Sequence, residues 1–70
     1  MINVVVLSLP FRGCYGKVDL DKDLLFIRED SARLALRNAG VNERGVIALP
    51  RVEDLIQLPA NKIDWVQIPK

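Results

Sequence analysis

The chain has 70 residues, of which 50% are apolar and 27% are charged, with 10 Lys and Arg against 9 Asp and Glu. This size allows one small domain, and a net charge of +1 excludes the strongly basic character of a dedicated nucleic-acid binder. A single cysteine excludes an internal disulfide and a multi-cysteine zinc site, while the lack of histidine removes the usual general base. We therefore expect a protein with no catalytic activity and no cofactor.

The longest purely apolar run, Val4 to Leu7, is far too short to cross a bilayer, and no signal-peptide pattern opens the chain. A lone cysteine also suits a reducing compartment. We expect a cytoplasmic protein, or a component of a virion that is assembled in the cytoplasm. A viral or phage origin would fit so short a chain, but no residue demonstrates it.

The pattern of apolar and polar residues in the first half of the chain predicts three strands. Residues 3–9 are rich in β-branched side chains and end at Pro10, which is typical of a central strand or of an edge strand covered by a partner. After a glycine-containing loop, apolar and acidic residues alternate over 17–21, as in a half-buried strand. The apolar run at 23–28 is then the return strand, after a turn at Asp21-Lys22.

Residues 31–39 are predicted to form the main helix. Either Asp30 or Ser31 is a suitable N-cap, because its side-chain oxygen can accept a hydrogen bond from an unpaired amide of the first turn. Gly40 is placed to end the helix in a left-handed conformation. A stripe of alanines along one side would let the helix approach a sheet closely.

The second half of the chain is less clear. Residues 46–50 are a strand candidate, and the apolar spacing over 51–57 favours a short helix, although a strand also fits. Residues 62–68 predict a final strand. We expect an α+β fold over 1–70, with a mostly antiparallel sheet of about four strands and one main helix packed on it. Residues 59–70 form either part of this sheet or an extended C-terminal arm.

All four prolines follow Leu or Ile. A residue before proline favours an extended backbone, and proline itself cannot donate to a sheet, so these pairs end strands. In a second interpretation they belong to an arm that lies on another subunit. Trp65 is the only tryptophan, a residue that is enriched in interface hot spots. The predicted protein interface comprises Leu58, Ile63, Trp65, Val66 and Ile68.

The loop at 12–17 offers an alternative function. Arg12 and Lys17 flank a Gly-x-x-Gly sequence with Tyr15 inside it, so two cations could contact phosphate while the ring stacks on a base. The acidic residues that follow favour an ordinary mixed surface instead. This alternative is a small nucleic-acid-binding module.

Three carboxylates, Asp19, Asp21 and Asp23, have the first ligand spacings of an EF-hand calcium loop. However, Leu24 stands where the sharp turn requires glycine, and Asp30 stands where a bidentate glutamate is expected. The pattern therefore predicts solvated carboxylates around a hairpin turn and no metal.

The remaining features favour a function through protein contacts. The apolar share is high for so short a chain, so some apolar side chains either remain at the surface, as in many proteins, or are covered by another chain. We expect a small subunit or accessory component of a larger assembly, or a small inhibitor that docks on a larger protein. Its partner is a second protein or another copy of itself, with no membrane and no small-molecule substrate.

Overall fold

Six β-strands and one α-helix make up the fold in the computed structural model, which describes residues 1–46 and 49–69. The strands form one sheet in the order β4-β5-β3-β2-β1-β6, and each neighbouring pair is antiparallel. The α+β class, the antiparallel sheet and the single main helix are confirmed, whereas the expected number of about four strands is wrong. The elements are β1 (Ile2–Val6), β2 (Tyr15–Asp19), β3 (Leu24–Arg28), α1 (Glu29–Asn38), β4 (Arg51–Val52), β5 (Leu55–Pro59) and β6 (Trp65–Gln67).

The first three strands follow the sequence pattern, with shifted ends. Strand β1 stops at Val6, and β2 starts two residues before the predicted 17–21 segment. The predicted turn at Asp21-Lys22 lies between β2 and β3, and Asp23 ends it with a φ of 56°. Local alternation of apolar and polar residues is therefore sufficient to find this hairpin.

The prediction of a helix at 51–57 is wrong, because these residues form the hairpin of β4 and β5. The turn of this hairpin is at Glu53-Asp54, where Glu53 has a φ of 58°. Strand β5 pairs with β3 over five residue pairs, from Leu24↔Pro59 to Arg28↔Leu55. This long-range pairing satisfies the hydrogen-bonding groups of the backbone and outweighs the weak helical spacing of the apolar residues over 51–57.

Helix α1 starts at Glu29 rather than at 31, so the prediction of Asp30 or Ser31 as the N-cap is wrong. The extended residue Arg28 precedes the helix and supplies no side-chain cap. Instead, the amide of Glu29 donates to the carbonyl of Asp54 at 2.7 Å. The helix follows β3 directly, and the turn of the β4–β5 hairpin satisfies one of its unpaired amides.

The C-terminal end of α1 agrees with the sequence prediction. Gly40 has a φ of 74°, and its amide donates to the carbonyl of Arg37 at 3.1 Å. The amide of Val41 donates to the carbonyl of Leu36 at 2.8 Å. These two bonds make a Schellman motif, in which glycine is favoured because it has no β-carbon.

The strand candidate at 46–50 is not observed in the described residues. Val46 belongs to a 3-10 turn, Glu43–Val46, while Leu49 and Pro50 lie outside any strand. Residues 47 and 48 lie outside the described residues. The amide of Gln57 donates to the carbonyl of Pro50 at 2.8 Å, so the chain joins the sheet only from that point.

The C-terminal segment returns to the sheet of its own chain. After a 3-10 turn, Ala60–Lys62, strand β6 pairs with β1, and it is shorter than the predicted 62–68 segment. Two hydrogen bonds of 2.8 Å extend the pairing, from Leu7 to Asp64 and from Ile68 to Asn3. The sheet thereby acquires β6 as one edge and β4 as the other.

The core lies between one face of the sheet and α1. Alternate strand residues point into it, and the helix contributes the small Ala32 and the larger Leu36, both buried. Alanine at the contact lets the helix sit close to the sheet, as its sequence predicts. The fully buried strand residues are Val4, Val6, Val18, Leu25, Ile27 and Ile56.

Gly16 lies at a position on β2 that has no room for a side chain. A β-carbon at this position would lie 2.5 Å from the backbone oxygen of Phe26 on β3. We predict that Gly16→Ala lowers the free energy of unfolding by about 1–3 kcal/mol, because the strands must move apart. Urea denaturation measures this change. Lys17→Ala, at the neighbouring exposed position, is the control and should change stability by less than about 0.5 kcal/mol; equal effects would contradict the close approach.

Candidate functional site

The face of the sheet opposite to α1 carries the candidate site. In the part of the chain that the structure describes, no second helix lies over this face. Its side chains alternate with those of the core, and Tyr15 and Val52 on it are 71% and 51% exposed. We call this surface the open face and define it by Met1, Asn3, Tyr15, Lys17, Leu24, Phe26, Arg28, Val52, Leu55, Gln57 and Ile68.

Phe26 lies at the centre of the open face. The register aligns Asn3, Lys17, Phe26 and Gln57 in one row across four neighbouring strands. Directly opposite residues in such a row have β-carbons about 4.5–5.5 Å apart, so Lys17 and Gln57 flank the ring. Phe26 is half-buried by these neighbours and has no covering layer among the described residues.

The open face forms one broad, shallow concavity of about 1330 Å³. It reaches from Val52 on the edge strand β4 to Ile68 beside the other edge strand. Apolar side chains form its floor, and amide or charged groups stand among and around them. The apolar members are Met1, Leu24, Phe26, Val52, Leu55 and Ile68.

Cations outnumber carboxylates around this concavity. Lys17, Lys22 and Arg28 line it, whereas Asp54 is the carboxylate among the lining residues. Arg28 lies 3.4 Å from the carboxylate of Asp30 and 3.9 Å from that of Asp54. For the described residues, no carboxylate lies within 4.0 Å of the ammonium group of Lys17 or Lys22.

The structure separates the five residues of the predicted protein interface. Leu58 is a core residue with 6% exposure, and Ile63 and Trp65 pack against the core from its margin. The indole nitrogen of Trp65 donates to the carbonyl of Ala60 at 3.1 Å, which fixes the ring toward the core side.

The other two members, Val66 and Ile68, lie on the opposite side of the sheet. Val66 pairs with Val5 and is 45% exposed, and Ile68 lines the concavity of the open face. Sequence reasoning missed the apolar residues of this face on β3 and β5, which are Phe26 at its centre and Leu24 and Leu55 at opposite ends of the strand pair. A signal was present in β3, where four consecutive apolar residues cannot all face one core.

The alternative nucleic-acid residues lie near the same surface. Tyr15 and Lys17 are both on the open face, two residues apart on β2. Arg12 lies in the loop before β2 and lines a second, smaller cleft of about 320 Å³, to which Tyr15 and Arg28 also contribute. Tyr15 therefore links Arg12 to the open face.

Two other reactive or ligand-like groups, the thiol of Cys14 and the carboxylate of Asp19, already make hydrogen bonds within the chain. The thiol of Cys14 is buried and donates to the carbonyl of Ser31 at 3.5 Å, and this burial raises its pKa, so the protonated form is favoured at neutral pH. The carboxylate of Asp19 accepts from the amides of Asp21 and Lys22 at 3.1 and 3.3 Å, which stabilises the β2–β3 turn. Over residues 1–46 and 49–69, no three metal-ligating side chains come together.

Comparison with protein-family models, with curated proteins and with solved structures finds no match to this chain. Within the described ranges, no helix has the length and apolar character needed to cross a bilayer.

Trp65 and Val66 are neighbours on β6 that face opposite sides of the sheet, so they provide a matched pair. We predict that Trp65→Ala lowers the free energy of unfolding by about 2–3 kcal/mol, because the ring packs against the core. Val66→Thr keeps the branched shape on the exposed side and should change stability by less than about 0.5 kcal/mol. Chemical denaturation compares the two, and a neutral Trp65→Ala would contradict this placement.

Proposed function

We propose that this protein is a non-catalytic protein-binding unit that docks on a larger protein through its open face. It serves as a small subunit, an accessory component or an inhibitor. The observation that carries this proposal is the apolar surface along β3 and β5 on the open face. The solvent-facing side of an antiparallel sheet is commonly polar, yet Phe26 stands at its centre here, with Leu24 and Leu55 at opposite ends of the β3–β5 pair.

The arrangement of the open face also resembles a protein interface. Specific interfaces have an apolar centre and a polar rim, and their strongest anchors are large side chains near the middle. Phe26 has this central position, with Lys17 and Gln57 beside it. Six strands and five residues of strand give a face of roughly 24 Å by 17 Å. That surface accommodates a helix or a short strand pair of a partner.

A nucleic-acid-binding module is the second candidate, and one observation favours it. Tyr15 and Lys17 lie on the same face as Phe26, with Arg12 in the adjoining cleft, so two rings and two cations are near one another. Against it, aliphatic side chains outnumber rings on this face, and the chain has a net charge of only +1. Protein binding therefore has the stronger support.

A display selection tests the protein-binding proposal without knowledge of the natural partner. Random peptides of about 16 residues, which as a helix match the ~24 Å width of the face, are selected against the wild-type protein. We predict that Phe26→Thr lowers the affinity of the selected peptides by at least about tenfold, since it removes the central anchor. Threonine is a good strand former, and circular dichroism and urea denaturation verify that the variant is folded.

Leu20→Thr is the matched control, because Leu20 is 67% exposed in the β2–β3 turn and does not line the concavity. Peptides that bind Phe26→Thr more weakly than wild type, but bind Leu20→Thr as well as wild type, support docking on the open face. Peptides that bind both variants as well as wild type would contradict it. Tight binding of oligothymidine that weakens steeply with salt, and that is lost in Lys17→Ala, would favour the nucleic-acid alternative instead.

A further inference from the structure

We infer that the segment that docks on the open face is acidic as well as apolar. Apolar side chains of the partner would cover Phe26, and Asp or Glu side chains flanking them would pair with the cations that line the concavity, which are Lys17, Lys22 and Arg28. This inference rests on the proposed function and specifies the chemistry of the partner.

The cations are distributed around the central ring rather than grouped on one side of it. Lys17 is the direct cross-strand neighbour of Phe26. Lys22 lies at the turn beside the start of β3, and Arg28 lies at the end of that strand. Any chain that covers Phe26 must therefore pass close to at least one cation, whichever direction it takes.

Two of these cations would be left without partners under a neutral ligand. Lys17 and Lys22 have no carboxylate within 4.0 Å in the described part of the chain. Arg28 already has the carboxylates of Asp30 at 3.4 Å and Asp54 at 3.9 Å, so the demand for a counter-charge comes from the two lysines. Removing an ammonium group from water without supplying a counter-charge is costly, and carboxylates on the partner offset this cost.

A second copy of this chain fits the open face less well. In a two-fold interface each surface meets an identical surface, so the three lining cations would meet three more, with one lining carboxylate on each side. Lys17, in the central row, would be among the groups that lose water. Like charges in that position oppose association.

A single strand of nucleic acid carries the required negative charge but fits the floor poorly. Its phosphates would run over Leu24, Leu55 and Val52, which offer no hydrogen-bond donors from their side chains. Stacking platforms use aromatic rings in succession, whereas Phe26 is the only ring in the central row. The combination of an aliphatic floor with separated cations matches an acidic, amphipathic protein segment.

The peptide selection described above provides the test when its sequences are analysed by charge. Peptides whose binding depends on Phe26 should contain more Asp and Glu than Lys and Arg, relative to the starting library. Lys17→Glu should lower the affinity of these peptides by at least about tenfold. The loss of affinity should be smaller at high salt, because salt screens the attraction between charges. Lys62→Glu introduces the same charge change at an exposed site outside the concavity and should have little effect.

The outcomes separate this inference from the proposed function. Phe26-dependent peptides that are neutral or basic, or that tolerate Lys17→Glu, would overturn the acidic partner while leaving the docking face intact. A selection that yields no Phe26-dependent peptide would overturn both. Light scattering on the untagged protein gives a further check, since self-association that disappears in Phe26→Thr would assign the face to a second copy.

Discussion

Four consecutive apolar residues at the centre of the sheet, Leu24 to Ile27, impose the constraint on which the rest of the structure depends. Successive residues of a strand point to opposite faces, so Leu25 and Ile27 enter the core while Leu24 and Phe26 lie on the other side. One helix of 10 residues covers the first face, and no described element covers the second. An apolar surface is left open for a structural reason, because the described residues form a single layer of helix for a sheet with two apolar sides.

The edge of the open face is fixed by charged groups on the other side of the sheet. Glu29 accepts a hydrogen bond from Arg51 of β4 at 2.8 Å and from Arg33 of α1 at 3.3 Å. These groups are partly exposed, so the contribution of each pair to stability is modest. Their geometric effect is to hold the short strand β4 beside the helix, and β4 carries Val52 into the concavity. A partner therefore meets a preformed surface, which reduces the ordering cost of binding.

The sequence predicts the features that local interactions determine, such as the β2–β3 hairpin and the end of α1 at Gly40. It fails at 51–57, where helical spacing competes with pairing between β5 and β3, because that pairing joins residues about thirty positions apart. The site was harder to predict for the same reason. Rarity and size single out Trp65 in the sequence, but a shift of one residue in register exchanges the two faces of a strand. Only the register shows that Phe26, and not Trp65, stands at the centre of the open face.

Phe26 and Ile27 are adjacent in sequence, yet Phe26 belongs to the open face and Ile27 belongs to the core. The most direct test is the free energy of unfolding of Phe26→Thr and Ile27→Thr, measured by urea denaturation. We predict a loss of about 3 kcal/mol or more for Ile27→Thr, which places a hydroxyl in the core, and a loss of less than about 1 kcal/mol for Phe26→Thr. An equally large loss at Phe26 would mean that both faces are core, and the open face would then not be a docking surface.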